Sequence, residues 1–488
     1  MFPTGKEFVQ QYDMGYAYRT LFIFSCFAIF VMYVETMLTP ALPTIASDFG
    51  VSASQVSLIL SMYLVSGVAL NPIIGKLGDI YGKKRLFTYV LIIYASAVTF
   101  SGFAPTFSSL IVSRTVQGIG LTMFPLAMSL IREEFPRELI PKAQGILSGM
   151  FGAGAALGLP AGAYLANYFG WRATYHTALP LAILFAVLIT MKVKESKLRK
   201  PNSKLDIPGA ILLAGALGSI VFALSQGSSW GWNSLNTLGT LGFGILLFVP
   251  LALWERRAFE PIINIKLLSQ RNVLVANLTL LIAGLGMFLA FQAVVYKLEL
   301  PPPVGSGYSI LTTGISVAPI ALMMMVVAPI GGILMSRTGV QPLALGGSII
   351  GCIGFLYASI APNTQQFLFS LVFFSAGIGL LMVTTINLLV LTVDPKEMGS
   401  ATSMNTVFRT FGSSLGAPIA GSLISTYSAW FLSGYYNGSP VLFSSPSQFA
   451  FQYSFYIAAF LFILAGIVSL FSNEVLGKHA RPQANDFE

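Results

Sequence analysis

The chain has 488 residues, of which 55% are hydrophobic and only 9% charged. A soluble domain carries about 25% charged residues, so these charges are too few to coat several soluble domains, and the apolar content excludes disorder. The net charge of +9 comes without the polar basic patches of a nucleic-acid binder. A polytopic helical membrane protein remains.

A membrane-spanning helix needs about 20 mostly apolar residues. In chain order, fourteen stretches qualify: residues 18–39, 54–75, 85–104, 107–130, 143–165, 172–192, 206–227, 236–254, 272–296, 309–334, 342–361, 366–391, 401–428 and 450–472. The first is too long for a signal peptide, carries Glu35 and lacks a small-residue cleavage site, so it reads as the first helix. None alternates in polarity as a β-barrel strand would.

Basic residues test the count, because short cytoplasmic loops collect Lys and Arg. With the N-terminus inside, 23 of the 27 Lys and Arg fall on the cytoplasmic side. Only Arg172 and Lys297 fall outside, and Arg114 and Arg409 lie within helices. An even span number places both termini in the cytoplasm. Trp171, Trp230, Trp232, Trp254 and Trp430 sit at predicted span ends, where amphipathic rings belong. The positive charge thus follows from topology, and the expected location is the plasma membrane.

Two parts of the chain echo each other. Gly75 to Gly82 and Gly332 to Gly339 both read G-x-L-x-x-x-x-G. Gly154, Leu157, Gly158 and Pro160 match Gly412, Leu415, Gly416 and Pro418. Gly118-Ile-Gly-Leu121 matches Gly377-Ile-Gly-Leu380, and the three offsets lie between 257 and 259 residues. Spans 1–6 therefore pair with spans 9–14, and spans 7 and 8 are an insertion. The expected units are residues 1–200, 201–265 and 266–488. Parallel six-span repeats are a transporter architecture, with the substrate site at the repeat interface near the midplane.

Several motifs carry a resemblance. Gly75-x-Leu77-x-Asp79-x-x-Gly82-Lys83-Lys84-Arg85, with Ile80 where Arg is usual, resembles the signature of the major facilitator superfamily. Arg114-x-x-Gln117-Gly118-x-Gly120 is similar to its Arg-Gln-Gly motif, and Gly154-x-x-x-Gly158-x-Pro160-x-Gly162 to its antiporter helix, although Leu159 and Ala163 depart from that pattern. Gly170-Trp171-Arg172, Trp254-Glu255-Arg256-Arg257 and Arg409-x-x-Gly412-x-Ser414-x-Gly416 look like pieces of the 14-helix drug:proton antiporter branch. The resemblance implies an all-α integral membrane fold of two six-helix bundles plus two inserted helices. It also implies proton-coupled export of small molecules, without a cofactor other than the proton gradient.

The same residues have a physical reading. The segment after span 2 reads as a turn-rich loop. Asp79 there, with Gly75, Gly82 and Arg85, could latch onto the positive end of a helix in the other half, near Gly399 as the resemblance implies. Lys83 to Arg85 also fit a solvated basic loop that sets orientation. Gly154, Gly158 and Gly162 recur every four residues, which lets two helix backbones touch, and Pro160 permits a bend. Glu35, Arg114 and Arg409 are the charges within the membrane, where charges are costly and default to function. Glu35 with Arg114 fits either a proton carrier or a static ion pair. The antiporter branch usually places its acid one residue earlier, at Val34, and one residue turns a helical side chain by about 100°. Arg409 fits either the cavity or a helix end. Gln117, Asn277, Gln292, Asn387 and Asn405 are further polar candidates for the substrate cavity, or bridges between helices. One acid against two arginines gives a cavity suited to neutral or anionic compounds as much as cationic ones.

Asn437-Gly438-Ser439 lies in the expected outer loop before span 14 and matches a glycosylation sequon. The sequence has no nucleotide-binding P-loop, no metal-ligand spacing and no hydrolase motif, so an enzyme is not expected. The expected partners are a small-molecule substrate, protons and the lipid bilayer, with no nucleic acid, and the chain is expected to be a monomer. Two other readings stay open: a narrow-specificity solute transporter of the same fold, and a transport-inactive receptor or scaffold.

Overall fold

The structure is a computed structural model and describes residues 13–136, 139–196, 205–394, 397–436 and 439–473. Asn437 and Gly438 of the sequon lie outside the described residues. Among the described residues, thirteen helical stretches are long and apolar enough to cross a membrane. In the first half these are α1 (Met14–Phe49), α2 (Ala53–Tyr81), α3 (Lys83–Gly102), α4 (Phe107–Glu134), α5 (Ile140–Phe169) and α6 (Trp171–Lys192). The insertion supplies α7 (Ile207–Trp230) and α8 (Leu235–Glu255). The second half supplies α9 (Arg271–Glu299), α10 (Ile310–Thr338), α11 (Val340–Ile360), α12 (Thr364–Thr392), α13 (Met398–Thr426) and α14 (Gln448–Ser469). At 29 residues α13 is long enough to span. Its Arg409 and its many Ser, Thr and Gly residues make it the one span-length helix that falls short on apolarity. Packing supplies what apolarity lacks, because α13 lies along α9 and against α2 and α7.

The repeat read from the sequence returns in the packing. In the first half α1 packs on α5, α2 on α4 and α3 on α6. In the second half the equivalent pairs α9–α13, α10–α12 and α11–α14 pack in the same way. The halves meet along α5–α10 and α2–α13, again a symmetric pair. Helix α7 lies on the seam against both α2 and α13, whereas α8 packs mainly on α7.

Glycine explains the closest of these approaches. A Cβ on Gly154 would stand 2.7 Å from the carbonyl oxygen of Ile29 and 2.8 Å from its Cα. Gly158 and Gly162 meet the backbone of Tyr33 and Met37 further along α1. In the other half Gly412 and Gly416 meet the backbone of α9 at Leu281 and Leu285. The expectation of backbone-to-backbone contact on this face of α5 matches what is seen.

Two sequence expectations need correction. The signature segment is not a loop: Gly75 to Tyr81 continue α2 as helix, and only Gly82, at φ +108°, makes the turn. Glycine is required there, because a Cβ would stand 2.7 Å from the Glu195 carboxyl carbon. The connection before α14 is not irregular. It forms an antiparallel hairpin of β1 (Ser428–Tyr436) and β2 (Ser439–Pro446), with a register irregularity between Leu432 and Gly434. Asn-Gly between alternating apolar stretches is a strong hairpin signal, which the sequon reading of the same residues overlooked.

Candidate functional site

The two helices that carry the first-half charges both lose regular geometry next to them. The continuous part of α1 ends at Thr36, one residue after Glu35, and a 3-10 turn follows at Thr39–Ala41. Pro40 in that turn cannot donate a backbone hydrogen bond. Helix α4 breaks into a 3-10 stretch at Gly118–Thr122, four residues after Arg114. Such mid-helix breaks often mark functional hinges. They open a narrow cavity lined by Glu35, Thr36 and Thr39 of α1, Leu60, Tyr63 and Leu64 of α2, Arg114 of α4, and Phe288 and Phe291 of α9. The cavity therefore lies between the halves. Its lining includes two of the three membrane charges.

Arg114 is fully buried. Its Nε donates to the Ile59 carbonyl at 3.1 Å, and its Nη1 donates to Gln117 Oε1 at 2.9 Å. The guanidinium also lies over the Tyr63 ring at 4.8 Å. Gln117 is held in turn by Ser101 Oγ at 2.5 Å and the Ala97 carbonyl at 3.3 Å. Arg114 is thus fixed from behind, and its Nη2 is buried with no hydrogen-bond partner among the described residues.

Glu35 is half-buried on the cavity side of α1, whereas Val34 turns into the core at 1% exposure. The one-residue offset therefore decides which side chain lines the cavity. Glu35 Oε2 is buried and accepts no hydrogen bond among the described residues. Arg409 and Arg114 both act electrostatically on the Glu35 carboxyl. Neither makes a direct ion pair with it among the described residues, where the recorded pairs are Lys76–Glu260, Lys83–Asp79 and Lys83–Glu133. The three membrane charges thus converge without a salt bridge. Around them stand Tyr63, Tyr94 and Tyr175, all fully buried; among the described residues the hydroxyls of Tyr63 and Tyr94 have no hydrogen-bond partner, while that of Tyr175 lies beside Ser101, Arg114 and Gln117. Nothing in the sequence distinguished these tyrosines, since a single Tyr in an apolar stretch has no spacing to read.

The remaining polar candidates are held elsewhere. Asn405 Nδ2 donates to Asn277 Oδ1 at 3.3 Å, which ties α13 to α9, and Asn277 Nδ2 donates to Val273 of its own helix at 2.7 Å. Asn387 Nδ2 donates to Val383 at 2.8 Å within α12. Gln292 Nε2 crosses between the halves to the Ala53 carbonyl at 3.1 Å, and its Oε1 is buried without a partner.

Gln292 belongs to a seal at the end of the molecule that carries the hairpin. There the Ser54 backbone N donates to Ser425 Oγ at 3.1 Å, and the Ser54 hydroxyl meets Ser422 Oγ at 3.1 Å and donates to the Ser225 carbonyl at 2.6 Å. A Cβ on Gly421 would stand 2.5 Å from the Ala53 carbonyl, and one on Gly314 would stand 2.7 Å from the Leu159 carbonyl. At the opposite end, a Cβ on Gly75, Gly145, Gly149 or Gly332 would meet nothing within 4 Å. The interface between the halves is tight at the hairpin end and loose at the other.

The signature segment sits at the loose end. Asp79 Oδ1 pairs with Lys83 of its own half at 3.5 Å and makes no ion pair with α13 among the described residues. Lys83 is buried, and its Nζ lies 2.7 Å from Glu133 Oε1. Glu195 accepts the backbone N–H groups of Lys84 at 2.9 Å and Arg85 at 3.0 Å. A carboxylate thereby satisfies the positive end of α3. Lys83 is therefore an internal strut and not a solvated charge, while the Arg85 side chain reaches only Tyr89 at 3.3 Å.

Paired six-helix halves, a cavity on their seam and a one-sided seal define a membrane transporter of the alternating-access kind. Residues 24–417 match the sequence model of the Major Facilitator Superfamily, and the chain belongs to that family. It is 30% identical over 398 residues to Multidrug resistance protein 3 of Bacillus subtilis (strain 168), covering 80% of this chain and 76% of that one. It is 27% identical over 416 residues to the Tetracenomycin C resistance and export protein of Streptomyces glaucescens, covering 84% and 77%. Among solved structures, a bacterial homologue of the human lysosomal transporter Spinster superposes with a TM-score of 0.66 at 15% identity, covering 96% and 98%. The xylose transporter XylE from E. coli superposes with a TM-score of 0.62 at 13% identity, covering 95% and 99%. At that identity the two structures speak for the fold alone.

Proposed function

We propose that this protein exports small amphipathic compounds in exchange for protons. The observation that carries the reading is Glu35, an acid with a buried unpartnered oxygen, in one cavity with Arg114. The names of the relatives support drug export as the direction and substrate class. The exchange follows from electrostatics. Burial favours the protonated acid, and nearby cations favour the carboxylate. A movement that changes the distance from Glu35 to Arg114 or Arg409 therefore changes its hold on a proton. Residues 1–200 and 266–488 act as the two moving bodies, and residues 201–265 ride on the seam. The protein works as a monomer in the plasma membrane, with both termini and the signature end in the cytoplasm. The hairpin-end seal then closes the outside, and the conformation faces inward. Asp79, Gly75, Gly82 and Arg85 act as a latch in the opposite state, when the cytoplasmic ends of α2 and α13 approach.

Two arginines against one acid leave room for neutral and anionic substrates beside cationic ones. Proteoliposomes with an imposed pH gradient and a panel of cationic, neutral and anionic dyes test the reading. Gradient-driven dye movement that collapses with a protonophore is expected, and movement indifferent to the gradient would refute proton coupling.

A further inference from the structure

The insertion holds a pair of buried acids, far along the chain from Glu35. Asp206 precedes α7 and is 7% exposed; Glu255 closes α8 and is 4% exposed. Among the described residues, each carboxyl has one satisfied oxygen and one orphan. Asp206 Oδ1 accepts from Gly209 N at 2.9 Å and from Trp254 Nε1 at 2.6 Å, whereas Oδ2 is buried without a partner. Glu255 Oε2 accepts from Ile263 N at 3.2 Å, whereas Oε1 is buried without a partner. Trp254, adjacent to Glu255 in sequence, ties the end of α8 to Asp206, and the Asp206 charge acts directly on Glu255.

An ionised carboxylate offers only acceptors, so each orphan oxygen is buried without a donor. One proton on the pair removes one of the two neighbouring buried charges. Two like charges brought together out of water favour this arrangement. We propose that Asp206 and Glu255 form a proton-binding carboxyl pair that holds one proton taken from the water at the signature end. The charged groups beside it are Lys76 of α2 and Glu260: Lys76 Nζ lies 3.2 Å from Glu260 Oε2 and donates to the Glu260 carbonyl at 2.6 Å, and its charge also acts on Glu255 against the proton. The pair thereby joins α7, α8 and the signature segment of α2. Loss of the proton places a second negative charge at this joint and loosens it. The site is independent of the export reading and of Glu35.

Infrared difference spectra of the purified full-length protein in lipid, acidic minus alkaline, test this. A protonated-carboxyl carbonyl band is expected that vanishes in both Asp206→Asn and Glu255→Gln and persists in Glu35→Gln. Both amides keep the acceptor oxygen for the existing N–H donors, so folding should survive. A band unchanged in both variants would overturn the pair. Thermal unfolding against pH gives a second readout. A carboxyl that keeps its proton to higher pH when folded contributes stability that is lost as pH rises through its folded titration. The wild-type midpoint should therefore fall with rising pH relative to Glu255→Gln, and parallel profiles would overturn the proposal.

Discussion

Substitution of single glycines along α5 separates close packing from open space within one helix. In Gly154→Ala the new methyl stands 2.6 Å from Met32 Cβ, 2.7 Å from the Ile29 carbonyl oxygen and 2.8 Å from Ile29 Cα. Ordinary contact begins at 3.4 Å, and two of the three atoms are backbone, which no rotamer change relieves. Helices α1 and α5 must part by roughly half an ångström or more, at a cost of about 1–3 kcal/mol for overpacking. Gly149 lies one turn and a half nearer the signature end, and a Cβ there meets nothing within 4 Å. Gly149→Ala should leave stability unchanged or raise it by up to about 1 kcal/mol, because Ala restricts the unfolded chain and favours helix. Thermal unfolding in one detergent, with dye efflux from cells at matched expression, measures both. Gly154→Ala should lower the midpoint and the efflux, since the displaced α1 carries Glu35. Equal effects at the two positions, or no loss at Gly154, would refute the assignment of α5 to α1 by glycine contact.

Three further outcomes follow from other contacts. Ser54→Ala removes hydrogen bonds to Ser225 and Ser422 across the seal, each worth about 1 kcal/mol. A cysteine introduced at position 292 should then react several-fold faster with an impermeant thiol reagent from outside. Lys83→Met takes the cation from the Glu133 carboxylate, whose side chain is only 10% exposed and which keeps the Ser196 hydroxyl. Breaking a buried pair by removing one partner costs about 3–5 kcal/mol, so the unfolding midpoint should drop sharply, and Lys83→Met/Glu133→Leu should recover part of it. Arg114→Ala should abolish transport, whereas Gln117→Ala, which only loosens the guanidinium, should retain a reduced rate; dye export assays distinguish the two.

The span pattern and the repeat were legible because both rest on periodicity that burial imposes along the chain. Glycine spacing gave a face of close helix contact on α5, and the structure supplies its partner, α1. Helix α13 is expected as a span from its apolar stretch, yet its Arg409 and small polar residues leave it below the other span-length helices in apolarity. Other features were not legible, for local reasons. The signature segment has loop-like glycines, yet only Gly82 takes a positive φ, and the rest stay helical because α2 continues past the apolar stretch. Whether Glu35 or Val34 faces the cavity depends on the rotation of α1, which sequence does not give. Tyr63, Tyr94 and Tyr175 surround Arg114 from three different helices, and such convergence has no trace in local spacing. Gln117, Asn277 and Asn405, open to either a cavity or a bridging place from sequence, make amide hydrogen bonds to protein groups here.

The central claim is that Glu35 carries the exchanged proton, and paired flux in proteoliposomes tests it most directly. Proton and dye movement are followed together across an imposed pH gradient for wild type and Glu35→Gln. Loss of gradient-driven dye transport and of dye-dependent proton flux, with dye binding and gradient-free dye exchange retained, is the predicted result. A Glu35→Gln protein that keeps full gradient-driven transport would contradict the account.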